Sequence, residues 1–153
     1  MALPSSIELQ IVTPDRLILR EQVDEVQIPG TEGYFGVLPG HTPFLATVGA
    51  GEMWYRKGQE KTYTMISGGF AEVLPDRVTL LATVAERAED IDVRRAEAAR
   101  QRAEQRLAQP PPDLDYERAR LALQKAIARI DVASRVPGGG RVGESRRLRE
   151  TRG

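Results

Sequence analysis

Along the first 85 residues the apolar positions come in short alternating runs. Ile7, Leu9 and Ile11 alternate with polar neighbours, and Val23, Val26 and Ile28 follow before Pro29-Gly30. Further β-branched or aromatic segments run Tyr34 to Leu38, Phe44 to Val48, Met53 to Tyr55, Thr62 to Ile66, Phe70 to Leu74 and Val78 to Val84. Turn-formers separate them: Pro39-Gly40, Gly49-Ala50-Gly51, Lys57-Gly58, Gly68-Gly69 and Pro75-Asp76. Period-two runs punctuated this often predict an antiparallel β-sandwich.

At Glu86 the pattern changes. No glycine occurs from there to Val136, and the strong helix formers Ala, Arg, Glu, Gln and Leu dominate. Asp90 and Asp92 stand where a first helix starts, able to cap free N–H groups. Ala96, Ala99, Ala103 and Leu107 then form one narrow, mostly small apolar stripe. Pro110-Pro111-Pro112 ends that helix, having no amide donors to offer. Asp113 or Asp115 opens a second, whose stripe is Ala119, Ala122, Leu123, Ala126, Ile130 and Ala133. Two such helices around a short turn predict an antiparallel hairpin. Alanine stripes bury little area, and at about 25 cal/mol per Å² the hairpin is expected to be held weakly. The expected division is a sandwich over 1–86, a hairpin over 87–136 and a basic tail over 137–153.

Composition narrows the chemistry. The 153 residues carry 22 basic and 22 acidic side chains, so net charge indicates neither nucleic acid nor a membrane surface. The absence of cysteine excludes disulfides, thiol catalysis and thiolate metal sites, and one histidine excludes a multi-His centre. No apolar run approaches the roughly 18 residues of a membrane span, and the N-terminus lacks a signal-peptide plan. A cytoplasmic location is expected. No phosphate loop or nucleophile elbow is present, and Asp24-Glu25 lacks a companion acid, base or metal ligand. His41, between Pro39-Gly40 and Thr42-Pro43, reads as a turn histidine bonded to backbone rather than a proton-transfer group. Docking, not catalysis, is the expected work of the chain.

Four strings carry more specific information: Val12-Thr13-Pro14-Asp15; Glu32-Gly33-Tyr34-Phe35-Gly36-Val37-Leu38-Pro39-Gly40-His41-Thr42-Pro43; Ser67-Gly68-Gly69-Phe70-Ala71-Glu72-Val73; and Glu89-Asp90-Ile91-Asp92-Val93-Arg94-Arg95-Ala96. In these the chain resembles the epsilon subunit of bacterial and chloroplast F-type ATP synthases, named delta in mitochondria, from about Ile7 to Val136. The resemblance implies a sandwich of about ten strands at the foot of the central stalk, bound to the gamma subunit and the c ring. That sandwich turns with the rotor and helps couple proton flow to ATP synthesis. The resemblance also implies a C-terminal helix pair that folds against the sandwich or extends along gamma into the catalytic head of alpha and beta subunits, blocking hydrolysis. The complex lies on the cytoplasmic face of the bacterial plasma membrane. For the ring contact it implies Glu32, Tyr34 and His41; Tyr34 replaces a second acidic residue found in many members.

Some bacterial members hold ATP between the two helices. Their Ile/Leu-Asp-x-x-Arg-Ala signature is met by Ile91, Asp92, Arg95 and Ala96, and the register adds Glu86, Arg102, Lys125 and Arg129. Cations facing phosphates and a carboxylate facing an adenine or ribose donor are reasonable chemistry. Lys125 departs from the arginine of the binders, offering a point charge rather than a planar fork. Two readings stand: regulatory ATP held without hydrolysis, or ordinary solvated charges. No cofactor is required in either. In the tail, Arg141, Arg146, Arg147 and Arg149 are either a plain extension or a contact for acidic surface in the catalytic head. Beside the rotor subunit stands an alternative from another class, a free-standing ATP-sensing or adaptor module on the same fold.

Overall fold

The structure is a computed structural model and describes residues 3–135. The basic tail, with Arg141, Arg146, Arg147 and Arg149, lies outside the described residues. Eight strands come first: β1 (Ile7–Val12), β2 (Leu17–Val23), β3 (Glu25–Gly30), β4 (Gly33–Val37), β5 (Phe44–Thr47), β6 (Gly51–Lys57), β7 (Glu60–Val73) and β8 (Arg77–Arg87). A short 3₁₀ turn leads to two helices, α1 (Val93–Ala108) and α2 (Tyr116–Ser134).

The strand order is β2-β1-β8-β7-β6-β3-β4, with β5 added on β7. β1 and β8 run parallel; the other pairs are antiparallel. β7 and β8 each serve two layers. Phe70–Val73 pairs with β5 and with the first half of β8, whose Arg77–Leu81 segment also pairs with β1. The earlier half of β7 pairs with β6 and with the end of β8. Eight strands thereby fill ten strand positions, five in each layer.

Thr62–Ile66 and Phe70–Leu74, which the pattern reads as separate strands, belong to one strand of 14 residues. Gly68 and Gly69 bend that strand without ending it. Their φ angles are 72° and 104°, in the region open chiefly to glycine. A Cβ on Gly69 would run into the carbonyl oxygen of Leu81 on the neighbouring strand. The Gly69 carbonyl instead accepts from the Val48 amide at 3.0 Å. Between the layers lie Ile7, Leu9, Ile11, Val26, Ile28, Val37, Met53, Ile66, Val73, Val78 and Leu80, all fully buried.

Each helix starts at an aspartate. Asp92 Oδ1 accepts from the Arg95 amide and Asp115 Oδ1 from the Arg118 amide, both at 3.1 Å. Ala96 and Ala103 of α1 and Ala119, Ala126 and Ala133 of α2 are buried, as a helix pair with small facing side chains requires. Ala122, assigned by periodicity to the same stripe, is exposed.

Gly69→Ala should destabilise the sandwich by about 2 kcal/mol or more, because it combines strained φ with backbone overlap. Gly36→Ala, at a position with no atom within 4 Å of the added carbon, should change stability by less than about 0.5 kcal/mol. Thermal unfolding of the two variants against the parent checks both.

Candidate functional site

α2 has a second apolar face, distinct from the one it shows α1. Ala128 and Val132, one turn apart, are buried with Met65 of β7, and Tyr63, Val84, Ala88 and Ile91 pack around them. Between these two residues Arg129 reaches the end of β8. Its Nε donates to Glu86 Oε2 at 2.8 Å and a terminal nitrogen donates to Oε1 at 2.9 Å. Glu86 is the register partner of Met65, so the ion pair borders the apolar contact. Both side chains are about 30% exposed, which shields the pair from full solvent screening. One turn beyond the buried face, Arg135 donates to both Glu52 oxygens at 3.3 and 3.4 Å and lies 5.1 Å from the Tyr63 ring. The hydrogen bond to Glu52, and then its charge, raise the Arg135 guanidinium above its ordinary pKa. The hairpin is therefore folded against the sandwich through a small apolar contact, one forked ion pair and one weaker one.

The residues expected around a nucleotide are distributed as follows. Glu86 and Arg129 are bonded to each other, and Ile91 belongs to the junction cluster. Asp92 caps α1 through the Arg95 amide, leaving the Arg95 residue exposed, and Ala96 is buried. Lys125 is half-buried on α2. Arg102 is exposed, ten residues beyond Asp92, about 15 Å along α1. A cleft of about 650 Å³ opens between the helices toward their turn, and Arg102 alone of the set lines it. The fold thus gathers Glu86, Ile91 and Arg129 at the sandwich junction and places Arg102 well away from them.

Glu32 and Tyr34 belong to the tight β3–β4 turn, where Gly33 has a φ of 123°. Tyr34 is 58% exposed, with its hydroxyl beside Gly51, where a Cβ would come within 2.7 Å of it. His41 stands past the other end of β4, so Glu32 and His41 are separated by the strand, about 16 Å. Its Nδ1–H donates to the Thr42 carbonyl at 2.6 Å, the backbone bond expected of a turn histidine. Leu38 and Phe44 flank it, half exposed.

Two features were not read from the sequence. One is the Ala128–Val132 face, whose i, i+4 spacing was the available signal. The other is a row of outward side chains across one layer. Leu17 is the register partner of Val12, Val12 of Leu81, Leu81 of Phe70, and Leu45 is diagonal to Phe70. Leu17, Leu45, Phe70 and Leu81 are each more than half exposed. Apolar side chains adjacent across five strands make the kind of surface that protein partners commonly cover. Among the described residues no three His, Asp or Glu side chains gather as a metal site, and no helix is long and apolar enough to cross a membrane.

A β-sandwich with a helical hairpin folded on one layer and an apolar row on the other defines a two-part docking subunit. The profile of the ATP synthase delta/epsilon chain β-sandwich domain matches residues 6–88, and that of the long α-helix domain matches residues 89–134. The ATP synthase epsilon chain of Nitratidesulfovibrio vulgaris is 54% identical over 127 residues, covering 83% of this chain and 95% of that protein. That of Syntrophobacter fumaroxidans is 55% identical over 129 residues, covering 84% and 96%. A chain in the mitochondrial ATP synthase of Euglena gracilis, solved with its c-ring, superposes with a TM-score of 0.76 at 28% identity, covering 88% of this chain and 84% of that one. The chain belongs to the delta/epsilon family of F-type ATP synthases, as an epsilon subunit, a non-catalytic component of the enzyme.

Removing one member of the forked pair should loosen the hairpin without unfolding the sandwich. Glu86→Gln should raise hydrogen exchange in α2 about tenfold, equivalent to about 1.4 kcal/mol, while the amides of β1 and β8 keep their protection. Val132→Ser should act in the same direction, by losing the apolar anchor.

Proposed function

We propose that this chain is the central-stalk subunit that joins the c ring and gamma to the catalytic head and transmits rotation during ATP synthesis. The observation that carries the reading is the apolar row Leu17–Val12–Leu81–Phe70–Leu45, too exposed to be left to solvent in a stable subunit. Gamma covers this row. The c ring meets the opposite ends of β4, with Glu32 and Tyr34 at one contact and His41, Leu38 and Phe44 at another. Tyr34 makes the first contact chiefly apolar where many family members have a carboxylate. Its place is peripheral, on the cytoplasmic face of the membrane.

The hairpin regulates. Docked as described, it leaves rotation free; extended along gamma into the alpha and beta subunits, it blocks hydrolysis. ATP between the helices favours the docked form, with Arg95, Lys125 and Arg129 toward phosphates and Glu86 toward the base or ribose. To reach those groups ATP has to enter the Glu86–Arg129 pair, and Lys125 gives it no fork in return. Affinity below that of arginine-bearing members follows. The basic tail, with Arg141, Arg146, Arg147 and Arg149, adds positive charge for the acidic head surface.

Co-purification tests the first part. Phe70→Asp combined with Leu81→Asp should abolish recovery of the subunit with gamma while the isolated chain stays folded. Retention of the double variant in the complex would count against the assignment of the row. Removing the hairpin should raise ATP hydrolysis by the assembled enzyme several-fold, and unchanged hydrolysis would refute an inhibitory role. For the nucleotide, amide shifts at Asp92, Arg95 and Arg129 are expected at millimolar ATP. A free-standing ATP sensor would give those shifts and no complex.

A further inference from the structure

α2 lies along one register row of the sheet beneath it. Glu86, Met65 and Glu52 are partners in turn across β8, β7 and β6. Arg129 bonds to the first, Ala128 and Val132 are buried with the second, and Arg135 bonds to the third. Three helical residues advance about 4.5 Å, close to the strand spacing of about 4.8 Å, so every third residue meets the next strand. The row continues past the last described residue. Gln27 is the partner of Trp54, which sets Pro29 beside Glu52, and Tyr34 is the partner of Pro29. A Cβ on Gly51, the residue before Glu52, would lie 2.8 Å from the Pro29 ring and 2.7 Å from the Tyr34 hydroxyl. Among the described residues nothing covers this end. Tyr34 is 58% exposed, and a carbon added to Gly36, two residues on, would meet no atom within 4 Å.

We propose that residues 136–141, which lie outside the described residues, dock on this free end of the row, crossing Pro29 and Tyr34 and bringing Arg141 to Glu32. Direction comes from α2, which runs along the row toward β3 and β4. Pro137 has no amide to continue the helix, and Gly138 to Gly140 have no side chains to hold the chain off the sheet. The length fits. Glu32 stands about two strand spacings across and two residues along from Glu52, about 12 Å, and the six residues beyond Arg135 span at most about 20 Å. The charge fits as well. Residues 1–85 carry six basic and ten acidic side chains, residues 136–153 five and two. Glu32 makes no ion pair among the described residues. The Trp54 ring beside the row already has Lys61 over it at 4.0 Å, so an arginine passing there is directed on to the carboxylate. Seated in this way, the segment extends the hold of the hairpin from β8, β7 and β6 to β3 and β4 and favours the docked form. The inference concerns the chain alone and holds whether or not the c ring takes Glu32 and Tyr34 in the complex.

The chain has no cysteine, so a nitroxide carried by Val142→Cys reports where the segment lies. In the full chain it should broaden the amides of Gln27 and of Glu32 to Gly36. Adding Glu32→Lys should remove most of that broadening while the amides of β1 and β8 keep their positions. Ending the chain at Arg135 should raise hydrogen exchange in α2 about two- to fivefold, the range for the loss of one exposed ion pair. Broadening that persists in Glu32→Lys, or that falls on other strands, overturns the inference. Unchanged exchange in α2 after the truncation overturns it equally. Mixing spin-labelled chain with isotope-enriched chain that lacks the label tests the other occupant: broadening between chains would assign the row to a second copy and overturn docking of the chain on itself.

Discussion

The bend at Gly68–Gly69 is the constraint from which the rest of the arrangement follows. It allows β7 to leave one layer and continue in the other, with β8 following in register on both sides of the bend. Without it Phe70 to Val73 and Thr64 to Ile66 would have to be separate strands with a connection of their own. Because β7 is continuous, Phe70 on the outer face of the first layer and Met65 beneath α2 are held by one rigid element. The exposed apolar row and the hairpin dock are thus five residues apart on a single strand. The same register brings Glu86 opposite Met65, next to the apolar contact that α2 needs.

That contact is small. Met65, Ala128 and Val132 are the fully covered residues of the junction, and burying a valine and a few methyl groups contributes a few kcal/mol at most. The partly exposed Glu86–Arg129 pair adds about 1 kcal/mol, and the more exposed Arg135–Glu52 pair less. A docking free energy of a few kcal/mol leaves the undocked form as a minor population, of the order of 1%. The sandwich, by contrast, has a core drawn from Ile7 to Ala82 that shares none of its residues with the junction cluster. Release of the hairpin, as the proposed regulation requires, would therefore leave the sandwich whole.

Much of this was legible in the residues. Alternation in β1 and alanine periodicity in the helices gave the two-part architecture, and Asp92 and Asp115 cap the helices where aspartates were expected. Gly68-Gly69 misled as a turn signal because paired glycines end a strand in one context and bend it in another; only the partner strand decides. The Val132 face is hidden in the sequence because α2 carries two apolar faces, and periodicity picks out the one with more members. The exposed row was invisible for a different reason. Leu17, Leu45, Phe70 and Leu81 are far apart in sequence, each reading as an ordinary strand residue, and only register makes them neighbours. The nucleotide set shows the converse: the register groups Glu86 and Arg129 around a ligand, whereas in the fold they bond to each other.

Their pairing gives the junction a logic independent of any nucleotide. A carboxylate and a guanidinium brought together at partial burial are costly to separate unless each finds another partner. A hairpin that undocks meets that cost in water, where both groups are rehydrated, so the pair alone delays release without preventing it. A nucleotide entering between the helices would replace the pair rather than add to it: Arg129 would exchange a carboxylate for a phosphate, and Glu86 a guanidinium for a neutral donor. The net gain in docking is then the difference between two charge-assisted arrangements, smaller than either one. In a chain with a second arginine at position 125 that difference is widened by an added fork. With Lys125 it is narrowed, so under the proposed regulation the balance between docked and extended hairpin would depend more on contacts built into the fold than on the concentration of a ligand.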